Sequence, residues 1–140
     1  MRYLPNIVPP PKRLIDAAGE PHYGLFADSV AELNFADFPY RTVMDKLASQ
    51  LTRHFAAKQF QFVAITGQDW LLAVAIANIR YASSGFAYFF QQGQPTIETG
   101  ILTPLQMGCQ MSDSPLSGTA SLQQGPNKWQ LTPSPNTWQL

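Results

Sequence analysis

Residues 58–90 read KQFQFVAITGQDWLLAVAIANIRYASSGFAYFF, three apolar, β-prone runs broken by two short polar turns. The pattern predicts an antiparallel meander at the centre of a sheet. In a strand over 59–66, Phe60, Phe62 and Ala64 point one way, and Gln59, Gln61, Val63 and Ile65 the other. Gly67-Gln68-Asp69 turns the chain into a strand over 70–79 that is apolar on both sides. Such a strand needs cover on both faces. The expected covers are a helix on one face and a barrel or sandwich interior on the other.

Ala82-Ser83-Ser84-Gly85 is read as the next turn, leading into a strand over 86–91. Gln92-Gly93-Gln94-Pro95 leads into another over 96–103, with weaker strands at 117–123 and 128–132. The terminal SPNTWQL reads as the start of a further strand. Upstream, LIDAAGEPHYG reads as a short strand, a turn at Ala18-Gly19-Glu20-Pro21 and a second strand entering at Gly24. The pieces 25–27 and 32–35 are also β-prone. Residues 1–12 form an extended, proline-rich lead-in, because Pro5, Pro9, Pro10 and Pro11 fix φ and remove donors. One segment changes period. Val43, Met44, Leu47, Ala48, Leu51 and Phe55 recur at three- and four-residue spacing, which predicts one amphipathic helix near 41–55.

Composition narrows the classes. A chain of 140 residues is read as a single domain. Nine basic residues balance nine acidic ones, so no net field draws nucleic acid or anionic lipid. The lone Cys109 supplies neither an internal disulfide nor a thiolate cluster. That usage suits a reducing, cytoplasmic location. The longest apolar run, 70–77, is too short to span a bilayer.

Little in the chain announces chemistry. His22 and His54 have no second ligand at metal-binding spacing, so no metal site and no cofactor are indicated. His54 is read as a group beside a helix C-terminus. Ser83-Ser84-Gly85 lacks a nucleophile-elbow frame, and no glycine-rich phosphate loop is present. No catalytic motif is visible. Arg80 and Tyr81 end the most apolar strand, and Asp113 opens DSPLSG. An Arg and an Asp at one cavity mouth would hold a polar head group; the plainer reading is an ordinary ion pair or a turn-capping Asp. Trp70 and Tyr88 are candidate walls of a ligand pocket, although cross-strand aromatics stabilise any sheet.

Three blocks carry a family likeness: PKRLIDAAGEPHYGLFA (11–27), the 58–90 run, and MSDSPLSGTASL (111–122). They resemble the N-terminal part of the bacterial domain of unknown function 2804 family. The resemblance implies a mainly β, calycin-like (lipocalin-like) barrel or half-barrel, distantly similar to hydroxyneurosporene synthase. It also implies that the chain is an N-terminal portion of a longer protein, pairing with a missing C-terminal half or forming a homo-oligomer. It carries over no catalytic residues.

Three functions follow as expectations. The first is binding of an apolar small molecule, a lipid or isoprenoid, by Trp70, Arg80, Tyr81, Tyr88 and Asp113. The second is a hydratase or isomerase on an isoprenoid-like substrate, with Asp113 or Tyr81 as acid. The third is a structural or interaction domain completing a larger β-sheet.

Overall fold

The computed structural model describes residues 6–134 and 137–140. Pro5 and the rest of the first five residues of the lead-in lie outside the described residues, as do 135 and 136 of the terminal segment. Among the described residues there are ten strands: β1 (Ile7–Val8), β2 (Leu25–Phe26), β3 (Gln59–Thr66), β4 (Trp70–Asn78), β5 (Ala82–Gln91), β6 (Ile97–Pro104), β7 (Cys109–Gln110), β8 (Ala120–Gln124), β9 (Asn127–Ser134) and β10 (Thr137–Gln139). One α-helix, α1 (Gln50–Ala56), and a 3-10 turn at Phe35–Asp37 precede the meander.

The meander is as the periodicity requires. β3, β4, β5 and β6 pair in sequence order, all antiparallel. A second antiparallel sheet has the order β10-β9-β8-β7. The fold is therefore mainly β. The two sheets do not join into a closed barrel, since β3 and β6 end the first sheet as edges. The meander is an open half-barrel.

The inner face of β4 carries Leu72, Val74 and Ile76, and it packs on Ala120, Leu122 and Leu131 of the second sheet. Ile76, Leu122 and Leu131 are fully buried. Sealing each such side chain from water contributes roughly 1.5–3 kcal/mol. Gly85 on β5 lies under this contact. A Cβ there would meet Leu122 at 3.3 Å and Trp129 at 3.5 Å.

That close approach explains one difference from the sequence reading. Ala82-Ser83-Ser84-Gly85 is not a turn but the first half of β5. Small residues suit the sheet-to-sheet contact, and the buried Ser83 hydroxyl donates to the Leu105 carbonyl at 3.0 Å. The reversal instead occurs at Ile79-Arg80-Tyr81, where the Ile79 amide bonds the Ala82 carbonyl.

The helix also differs. It spans only Gln50–Ala56 and buries none of its residues. Ser49 caps it, its Oγ accepting from the Thr52 amide at 3.1 Å. Upstream, Asp45 adopts φ 56°, Arg41 bridges to Leu47, and the Arg41 guanidinium holds Asp45. A left-handed residue interrupts α-helix. Residues 41–48 are a tight turn, and Val43, Met44 and Leu47 are exposed.

The helix consequently covers neither side of β4. The outer face of the meander leaves Phe60 at 61% and Phe62 at 44% exposure. Ala73 and Ala75 are buried on this face even so. Their flanking cross-strand partners, Phe62, Phe86 and Tyr88, shelter them.

The segment before α1 is irregular but well bonded. The expected turn forms at Gly19 (φ 86°), with Asp16 Oδ1 accepting from the Ala18 and Glu20 amides. Its first strand reduces to isolated bridges, Ile15 to Pro21 and Arg13 to Glu32, while the strand expected after Gly24 is β2, paired parallel with β1. Buried Asn34 accepts from the Ile15 amide and donates to the Ile15 carbonyl. A side chain there does the work of a neighbouring strand, satisfying backbone groups that burial would otherwise strand.

Candidate functional site

At one end of the meander the first residues of β3, the β4–β5 turn, α1 and the 32–37 loop meet. They enclose a cavity of about 510 Å³ lined by Arg13, Asp37, Arg53, Arg80, Asp113 and neighbouring groups. It is open on one side to solvent.

The loop brings its own charges, already paired. The Arg13 guanidinium forms ion pairs with Asp37 and, at 3.4 Å, with Glu32. Asn34 Nδ2 donates to Asp37 Oδ2 at 2.8 Å. Asp113 is tied to the sheet, its Oδ1 accepting from Gln59 Nε2 at 3.0 Å. Its backbone carbonyl accepts from the Leu33 amide at 2.8 Å.

Arg53 and Arg80 differ. Among the described residues neither forms an ion pair, and the Nε of each is buried without a hydrogen-bond partner. A buried guanidinium N–H without an acceptor is uncommon and costs stability. Arg53 comes from the last turn of α1. Arg80 is held at φ 73°, in the left-handed region, with its amide bonded to Asn78 Oδ1 at 2.9 Å. Backbone strain at a cavity-facing residue is characteristic of functional positions. One weak contact leads on from it. Arg80 Nη1 donates to Gln106 Oε1 at 3.3 Å, and Gln106 Nε2 lies 3.1 Å from His54 Nε2. Gln106 thereby links the turn to the helix.

A more apolar cleft of about 250 Å³ adjoins, sharing Phe35, Arg53 and Ala57 with the first and adding Phe38 and Tyr40. Cationic donors thus stand beside an aromatic shelf. Within the same end of the fold, burial pushes the Cys109 thiol up from its ordinary value, against the opposing effects of a Ser83 hydrogen bond and the Arg80 charge.

Of the sequence candidates, the structure brings Arg80 and Asp113 to one cavity. It places the other three elsewhere. Tyr81 is 55% exposed, with Lys58 Nζ 5.9 Å from its ring centroid, and does not line the cavity. Trp70 packs on Phe89 on the inner face of the meander. Tyr88 pairs with Ala73 and so lies on the outer face. Trp70 and Tyr88 therefore do not wall a common pocket, and of the two candidate acids only Asp113 lines the cavity.

Sequence reasoning missed Arg53 and the aromatic shelf. One signal for Arg53 was present: on the helix its positions three and four residues away are Ser49, Gln50, Ala56 and Ala57, none of them acidic. His54 lies in the last turn of α1, as read. Among the described residues, no group of three or more His, Cys, Asp or Glu is placed to hold a metal ion. No described helix is long and apolar enough to cross a membrane.

No curated protein and no solved structure matches the chain. The family described as Domain of unknown function (DUF2804) matches it over residues 8–138. That match spans well over half of the 140 residues, so the chain belongs to the DUF2804 family.

Proposed function

We propose that the chain is a binding module for a small amphiphile, a lipid or isoprenoid derivative with an anionic end. The anionic group lies between Arg53 and Arg80, and the apolar portion lies along Phe35, Phe38 and Tyr40. The observation that carries this reading is the pair of guanidinium-bearing residues, Arg53 and Arg80, that line one cavity without an ion-pair partner among the described residues. A carboxylate or phosphate in the cavity supplies the ionic partner they lack, and guanidinium groups bind such anions in bidentate fashion. Asp113, anchored by Gln59, limits the charge the site tolerates and favours a singly charged head group.

Titration calorimetry with decanoate, decyl phosphate and decanol tests the reading. Both anions are expected to bind more tightly than the alcohol. Hydrogen bonds to charged groups contribute roughly 1.5–3 kcal/mol, so R53Q and R80Q each weaken the anions about 10-fold or more and leave decanol unchanged. Equal binding of all three probes, or anion binding indifferent to both substitutions, overturns the assignment.

A further inference from the structure

The outer face of the meander offers the strongest observation not used by the ligand site. Its central cross-strand row alternates large and small side chains across β3, β4, β5 and β6, between a row with its large side chains on the two edge strands and one with them on β5 and β6. The central row is Phe62, Ala75, Phe86, Gly100. Two aromatic ridges on β3 and β5 therefore flank an alanine groove on β4, and a glycine gap lies on β6.

We infer that this face is the interface of a two-fold homodimer, the occupant being a second copy of the chain. A two-fold axis running along the strands between β4 and β5 lays β5 of one copy on β4 of the other, and β3 on β6. Each row then meets its own reverse. Phe86 enters the groove at Ala75, and Phe62 covers Gly100. In the next row Tyr88 meets Ala73, and Glu98 meets Ala64. The third row meets without interdigitation, Phe60 touching Leu102 at the edge strands and Ala77 facing Ser84. A face that fits its own reverse satisfies the requirement of an isologous contact.

Charge and area agree with this occupant. Glu98 is the one charged residue in the three rows, and the two-fold keeps the two copies of Glu98 apart, each opposite an alanine. Four strands about 4.8 Å apart and about eight residues long present roughly 500 Å² in projection. The relief of the aromatic ridges raises the accessible area toward the roughly 800 Å² per partner of a stable interface. Apolar patches of this extent mark interaction sites.

Sedimentation velocity across a concentration series reads the dimer directly, with circular dichroism confirming the fold of each variant. F62D is expected to weaken dimerisation at least 10-fold. Ala64 is exposed and supplies a variant that leaves the core untouched. Opposite Glu98 of the second copy, A64K is expected to tighten the dimer about 3-fold or more, and A64D to weaken it by a similar factor. A chain that stays monomeric at high concentration overturns the inference, because the face is then covered by something other than a second copy. A dimer whose affinity ignores Phe62 and the sign of charge at position 64 overturns it equally.

Discussion

Gln59 and Asp113, 54 residues apart in sequence, are joined by a 3.0 Å hydrogen bond in which the Gln59 amide donates to Asp113 Oδ1. The bond ties the loop after β7 to the first residue of β3. It also fixes a carboxylate in the same cavity as two unpaired guanidinium groups.

Because Asn keeps an acceptor oxygen, D113N is expected to preserve that bond while removing a negative charge from the cavity. Decanoate and decyl phosphate then bind about 3–10-fold more tightly, as expected for losing one like charge at screened range. D113A, which removes the acceptor as well, costs about 1 kcal/mol of stability. Calorimetry and urea denaturation separate the two effects.

Arg80 connects strain to binding. Its φ of 73° costs a non-glycine residue roughly 1–2 kcal/mol, which glycine avoids. R80G is expected to raise the unfolding free energy by roughly 1 kcal/mol and to abolish anion binding. R80A retains the strain and also loses binding. Denaturation midpoints of the two variants measured together check this.

Leu122 is fully buried between the sheets and faces Gly85. L122A is expected to cost about 2–5 kcal/mol, the transfer loss plus the cavity left behind. Its denaturant slope stays that of the parent if the sheets remain packed.

The Cys109 thiol, raised mainly by burial, gives a pH dependence of known sign. A raised value favours the neutral thiol in the folded state. The stabilisation is complete below the ordinary value of 9.0 and is lost as pH rises through the higher folded value. Unfolding free energy is therefore expected to fall above about pH 9, and C109S removes that slope. At neutral pH, iodoacetamide is expected to modify Cys109 more slowly than an unstructured cysteine. R80Q slows it further, because the Arg80 charge works against burial.

β3, β4 and β6 were legible because their period of two is local and the turns at 67–69 and 92–95 carry Gly, Asp and Pro, whereas the start of β5 was missed because its reversal at Ile79-Arg80-Tyr81 carries none of them. β3 has the expected bounds, 59–66, and β4 ends one residue short of the expected 70–79. The helix was legible only in its last turns. Apolar spacing over 41–48 equally suits a bridged turn, and the Ser49 cap with Asp45 at positive φ decides between them. The early strands were over-read because Ile15 finds its partner in the side chain of Asn34.

By itself the sequence determined the meander and its register of faces, since these depend on neighbours within a few residues. The tertiary structure decided which face of β4 is covered. Both are apolar, and only the second sheet's arrival on Val74 and Ile76 distinguishes them. It also decided the site: Arg53 and Arg80 come from separate elements, and their lack of acid partners is a property of three-dimensional neighbours that no spacing along the chain records.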